Sequence, residues 1–329
     1  MRVAALADIH GNLPALEAVV AKLEILQPDY VIVDGDLINP IPYSGEVLDY
    51  VRQTDWAVVR GNHEFYLLDF GTARAAIGSD DPQRWGCLHW LVDRIEPAQI
   101  LYLAALPDER TLYFPNTQPI RVAHGVPGRN RVGFYQEMPA DKIVPEIRAI
   151  PERTIISAHT HVQVDRHLSL LDTVDPFADP HDESNRYFDG YANAHNTPVV
   201  HWHVINPGSV GLPLNADPRA QFAILDSVDE SEEPGGWRVT HHRVEYDRRP
   251  ALEAFHSSDL LKMGGVVAQL FYWELVSAEP EIIHYYRWCR EHGLDPDGEM
   301  PTAFAAYQQA SGRSRYIAER DPLTEAGAP

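Results

Sequence analysis

Cysteine is scarce in this chain. Of 329 residues only Cys87 and Cys289 are cysteines, and they lie far apart. They form no CxxC pair and no disulfide framework, so a cytoplasmic protein is expected. Positive charge is short as well: 27 Lys and Arg stand against 48 Asp and Glu, a formal net charge of -21. Such a surface repels nucleic-acid backbones and anionic membranes, so nonspecific nucleic-acid binding is not expected. Long apolar runs are missing too. No stretch approaches the roughly 18 residues of a membrane span. The apolar run at Val3–Ala7 is too short for a signal-peptide core, and Asp8 interrupts it. There is no internal repeat and no low-complexity tract.

What is present is an alternation of short apolar runs and amphipathic stretches. Val3 to Ala7 is continuously apolar, which suits a strand buried on both faces. Leu13-Pro14 then opens a helical pattern, with Leu16, Val19, Val20 and Leu23 three and four residues apart. Tyr30–Val33 and Trp56–Val59 read as second and third strands, so the chain starts β-α-β-α-β and an α/β sheet is expected. Residues 84–106 read as helical. Further strands are expected at 111–114, 120–123, 154–158, 199–205, 220–225 and 237–245. Residues 172–198 are rich in Asp, Pro and Asn and read as a long inserted loop, a candidate lid. From about 251 the pattern is helical to near the end.

The polar residues sit at the ends of these strands. Asp8-x-His10 follows the first, Asp36 the second and Asn62-His63 the third; His124 and His159-x-His161 end two later ones. In open α/β sheets functional groups gather beyond the carboxyl ends of strands. In an extended chain residues i and i+2 point the same way, so each D-x-H or H-x-H pair is expected to face one cavity. Two carboxylates, one carboxamide and four imidazoles form an oxygen and nitrogen set with no thiolate. That set suits Mn, Fe, Ni or Zn better than Ca or Mg. Seven donors exceed the need of one tetrahedral ion and suffice for two, an arrangement suited to displacement at phosphorus.

In order and rough spacing, the motifs DIHGN, GD, VRGNHE, AHG and AHTH resemble the calcineurin-like metallophosphoesterase superfamily. The likeness spans roughly residues 1–226 and includes the segments NPGSVG and DPRA, which are similar to the small prokaryotic phosphodiesterase-like branch. The resemblance implies a four-layer αββα sandwich of two mixed β-sheets flanked by helices. It implies that Asp8, His10, Asp36 and His161 hold one metal, that Asn62, His124 and His159 complete a second, and that Asp36 bridges. It further implies a metal-bridging hydroxide as nucleophile for in-line attack, with His63 assisting the leaving group. A phosphodiesterase is the expected activity, with a nucleotide or protein phosphomonoesterase as the alternative and a non-catalytic scaffold behind both. This chain departs from the family pattern at Ala158, where a glycine is usual, and after GD it carries Leu-Ile-Asn-Pro rather than the D-R-G of protein phosphatases.

Asn12, Arg60 and Arg129 are the candidate substrate contacts, with a helix or strand cap and solvated ion pairs as the plainer readings. Arg131 shares the Arg129 loop. Asn206 and Ser209 are expected to shape a turn near the site. His181, His195, His201 and His203 are read as ordinary histidines rather than ligands of a third metal. The expected organisation is a catalytic domain over 1–250 and a helical extension over 251–329, packed on that domain or at a dimer interface. The expected partner is a small phosphate ester or nucleotide, with a homo-oligomer as a further expectation and no membrane contact.

Overall fold

The computed structural model describes residues 1–173 and 200–325. The candidate lid, His181 and His195 lie outside them, apart from the lid's first residues. Two five-stranded sheets form the centre. The first has β1 (Arg2–Leu6), β2 (Tyr30–Asp34) and β3 (Ala57–Val59) in parallel, with β9 (Ala220–Ser227) antiparallel to β1 and β10 (Trp237–Val244) outside it. The second runs β4 (Glu109–Leu112), β5 (Ile120–Ala123), β6 (Thr154–Ile156), β8 (His201–Asn206), β7 (Val164–Ser169), with β5, β6 and β8 parallel. The sheets pack face to face through Val3, Ala5, Ile32 and Val59 on one side and Ile120, Val122, Ile156 and Ile205 on the other. From Val3 onward β1 is apolar because this sheet is covered on both faces.

Helices α1 (Leu13–Leu26), α2 (Ser44–Val51), α3 (Asn62–Asp69), α4 (Gly86–Val92) and α5 (Pro97–Ala105) belong to the first half of the chain. Helix α6 (Ala140–Ile147) covers the outer face of the second sheet, where Ile143, Val144 and Ile147 meet Trp202 and Val204. After β10 come α7 (Arg249–Ser257), α8 (Leu260–Met263), α9 (Gly265–Ser277), α10 (Glu281–Glu291), α11 (Met300–Ala310), α12 (Arg313–Ala318) and α13 (Pro322–Glu325). Their apolar residues, Ala251 to Ile317, share one buried cluster with Leu16 and Val19 of α1 and Leu48 of α2. The architecture is therefore the four-layer αββα sandwich that the resemblance implies. No helix among the described residues is long and apolar enough to cross a membrane.

Three elements have no counterpart in the expectation from sequence: α3, β7 and α6. α3 begins at Asn62 and His63, which in the sequence mark only the end of the third strand. β7, VDRHLS, is an edge strand paired only with β8, so its pattern is polar and half exposed. α6 contains Pro145, which masks the helical signal of its apolar face. β4 begins two residues earlier than the strand expected at 111–114.

Candidate functional site

The loops that follow β1, β2, β5 and β6, together with the first turn of α3, bring all seven expected donors into one cluster. Asp8, His10, Asp36 and His161 each place a donor atom within 4.8 Å of the others, and so do Asp36, His124 and His159. Asp36 belongs to both groups. The Asn62 Oδ1 lies 2.8 Å from His159 Nδ1 and 3.1 Å from His124 Nε2, which places the carboxamide with the second group.

The backbone achieves this in an unexpected way. Asp8, His10, Asp36, His159 and His161 have φ between 51° and 71°. The D-x-H and H-x-H pairs are thus not extended, as alternation would have it; each donor stands on a left-handed residue. Non-glycine residues adopt that conformation at a cost and cluster at functional sites. Hydrogen bonds over-determine it: Asp8 N donates to Gly35 O (3.1 Å) and His10 N to Asp36 O (2.8 Å). Gly35 is itself at φ 76°, and a Cβ there would lie 2.6 Å from Gly61 N and from His124 Nδ1. Only glycine lets the two motifs approach this closely.

The tautomers follow from the partners. His10 Nδ1 lies 2.5 Å from Asn39 O, His124 Nδ1 2.7 Å from Asp34 O, and His161 Nδ1 2.6 Å from Leu212 O. A carbonyl only accepts, so each Nδ1 carries a proton; the neutral rings of His10 and His161 offer their Nε2 lone pairs to the cluster, and His124 would do so on losing its Nε2 proton to a bound cation. His10 Nε2 and His161 Nε2 then face each other at 3.0 Å. Two lone pairs at that distance repel unless a cation lies against both. Asp8 gives the same sign. It is fully buried, neither carboxylate oxygen makes a hydrogen bond to a described residue, and the nearest imidazole nitrogens stand 3.5–3.9 Å away.

Burial pushes the Asp8 carboxyl well above the usual range. Burial also acts against Asp36, but His124 and His63 hold it well below. Burial lowers His10 and His159 to about 4, with nearby histidines adding to the effect, and it lowers His161 further. These rings are neutral at pH 7, the form that binds metal. His124 is the exception: burial opposes its charge, but Asp36, Asp8 and Asp34 outweigh it and raise the ring well above the ordinary value. The donor set and its tautomers fit divalent cations.

Two further residues complete the site, and sequence reasoning gave neither a role. Glu64, buried in the third turn position of α3, accepts from the backbone N–H groups of Asp36 (2.9 Å), Leu37 (2.8 Å) and Gly61 (2.6 Å). Burial and Asp36 push it up to about 7. It ties the Asp36 loop to the start of α3, much as a helix-capping glutamate satisfies free donors. Asn39 places its amide nitrogen 3.1 Å from His63 Nδ1. A donor at Nδ1 leaves the neutral ring's proton on Nε2. The signal was the GD-Leu-Ile-Asn-Pro departure, which marked Asn39 without assigning it.

The candidate substrate contacts have other occupations. Asn12 is buried; its Oδ1 caps α1 at Ala15 N, and its Nδ2 donates to Gly211 O and Tyr246 Oη. Arg60 pairs with Asp108 and lies over the Phe65 ring. Arg129 pairs with Glu146 at 2.7 Å, and Arg131 lies over Tyr66. Both line a cavity of about 310 Å³ that backs onto His124 and includes Asp69, Asp108 and Glu109. Asn206 donates to Ala158 O and Thr160 Oγ1, and Ser209 Oγ donates to Asp8 O, so their turn braces two of the loops that carry the donor cluster. Away from this cluster His203 pairs with Asp165 (2.7 Å), and His167, beside it, with Glu233 (2.8 Å). His201 stands on the same strand as His203.

A family model described as calcineurin-like phosphoesterase matches residues 1–196. An uncharacterised protein of Methanocaldococcus jannaschii is 22% identical over 260 residues, 76% of this chain and 90% of that one. Among solved structures, a hypothetical protein from Pyrococcus horikoshii OT3 aligns at 21% identity with a TM-score of 0.61, covering 82% of this chain and 97% of its own. A metallophosphoesterase from Sphaerobacter thermophilus aligns at 22% identity with a TM-score of 0.54, covering 80% and 99%. At these identities the structural likeness speaks for the fold.

Proposed function

The chain belongs to the calcineurin-like phosphoesterase family, a family of metal-dependent phosphoester hydrolases, and from that premise we propose that it is a phosphodiesterase built around two divalent cations. The observation that carries this reading is the pair of donor groups sharing Asp36. Asp8, His10 and His161 would hold one ion with Asp36; Asn62, His124 and His159 would hold the other. The absence of thiolate among these donors favours Mn, Fe, Ni or Zn. Bound there, the cations would supply Lewis acidity, activating water and offsetting charge on the phosphoryl oxygens. Protein groups do the rest. The carbonyls of Asn39, Asp34 and Leu212 fix three imidazoles in the ligating tautomer. His63, with its proton on Nε2, stands at the rim of the cluster, where its N–H would hydrogen-bond the departing oxygen and assist the leaving group.

The charge around the site supports a diester over a monoester. A monoester dianion asks for more positive charge than a diester monoanion. Three of the nearby guanidinium groups are paired with carboxylates, Arg60 with Asp108, Arg129 with Glu146 and Arg84 with Asp297, which leaves Arg131, over the Tyr66 ring, as a single positive charge suited to a monoanion. The two cysteines, free and buried, support a cytoplasmic location as part of the same reading.

The test is hydrolysis of bis-p-nitrophenyl phosphate and p-nitrophenyl phosphate by metal-stripped protein, with Mn, Ni, Zn or Mg restored singly. The diester is expected to turn over faster, at two bound ions per chain, and Asp36→Ala to abolish the restored activity. A faster monoester would move the reading to a phosphomonoesterase. A protein that takes up no metal and turns over neither compound would be a scaffold of the same fold.

A further inference from the structure

Two cavities adjoin the cluster, and they differ in character. The one behind His124 is lined by charges of both signs, Asp69, Asp108 and Glu109 with Arg129 and Arg131, and each carboxylate is paired with an arginine, so its walls are polar rather than aromatic. The other, of about 450 Å³, opens on Asn62, His63 and His159 and has no carboxylate among its described lining residues. That volume lies in the range of small-molecule sites. One wall is aromatic. His63 meets Tyr66 edge to face at 5.5 Å between centroids, and Tyr66 meets Trp85 at 4.8 Å, so a ladder of rings leads outward from His63. The facing wall comes from the C-terminal helices: Leu270 and Phe271 of α9, Ile282 and Tyr286 of α10. Asp297 holds that wall to the first, accepting from Tyr286 Oη (2.6 Å) and pairing with Arg84 (3.1 Å).

We propose that this cavity seats an aromatic ring carried by the ester arm of the phosphate that leaves beside His63. The inference rests on the phosphodiesterase reading and deepens it by naming the substrate class: aryl- or base-bearing phosphate esters. Rings stacked edge to face recognise a further flat ring better than an aliphatic group of the same size. The opposing apolar wall lies outside residues 1–196 that the family model matches, so the helical extension supplies this selectivity.

The experiment is calorimetric titration of the metal-loaded protein with methyl-, cyclohexyl- and phenylphosphonate. Phenylphosphonate is expected to bind about tenfold tighter than methylphosphonate, with the cyclohexyl compound well behind it. Phe271→Ala should narrow the phenyl-to-methyl ratio by widening the cavity, and Ile282→Trp should narrow it by filling the cavity. Methylphosphonate binding reports in each variant that the metal cluster is intact. A wild-type ratio near one, or a ratio unmoved in both variants, would overturn the proposal. So would cyclohexylphosphonate binding as tightly as phenylphosphonate. If two ions are bound and none of the three phosphonates binds, the cavity is not a substrate site. If no ion is bound, the metal centre itself fails and the cavity's role falls with it.

Discussion

In the proposed reading His63 assists the leaving group and holds no metal. Its ring lies against Asn39 rather than in either donor group, and its backbone N–H donates to Asp36 Oδ1 at 2.8 Å. His63→Ala is therefore expected to lower kcat about 10²–10⁴-fold while elemental analysis finds metal at the wild-type level. Loss of metal along with turnover would show that His63 holds the site instead. Glu64 should behave in the opposite sense. Removing its carboxylate strands three backbone N–H donors that position Asp36 and α3. Glu64→Ala should weaken metal binding about 10–100-fold, read by titration with a competing chelator; unchanged affinity would mean that the Asp36 loop holds itself. Both residues stand in VRGNHE, yet only His63 was legible there as chemistry. Glu64 acts on the backbone of Asp36 and Leu37, and no spacing rule reveals such a contact. The D-x-H and H-x-H pairs were legible as pairs for a reason the structure replaces: left-handed φ angles, not strand alternation, turn the donors inward.

Among the elements, β1 to β3 could be read because buried parallel strands are apolar without interruption, and their ends located the ligands. β7 could not, since an edge strand with polar faces resembles a loop. The C-terminal helices could be read as helices, but which face covers the cavity beside His63 depends on tertiary placement, which periodicity does not carry. α9 makes a separate prediction. Its Glu274 is buried, accepts from Ile282 N at 3.2 Å, and is pushed up to about 8 by burial, with Glu281 adding to the effect. A folded pKa above the unfolded one means that stability is full below the unfolded value and is lost as pH rises through about 8. The loss is at most about 5 kcal/mol. Denaturant unfolding of wild type and Glu274→Gln from pH 5 to 9 should show the variant gaining on wild type as pH rises. Parallel curves would mean that Glu274 is ionised in the folded protein.

The whole molecule carries a net charge of -21, and part of that charge is buried where the protein itself compensates it poorly. Asp8 and Asp36 lie together with Asp34, whose burial pushes its carboxyl up to about 7. Cations bound to the folded state alone therefore act as a folding force, about 2.7 kcal/mol for each site held at a hundredfold excess over its Kd. The extension feels the same force. Residues from Ala4 to Ile317 share one apolar cluster, so the helices after Arg249 have no core separate from that of the first sheet. Metal removal is thus expected to lower Tm by roughly 5–10 °C in a single transition that moves as a whole. Restoring Mn should reverse the shift in wild type and leave Asp36→Ala unmoved. Calorimetry with and without chelator measures it directly. Two transitions, only one of them sensitive to metal, would show that the helical extension folds as a domain of its own; its wall of the cavity beside His63 would then be free to move independently of the catalytic cluster.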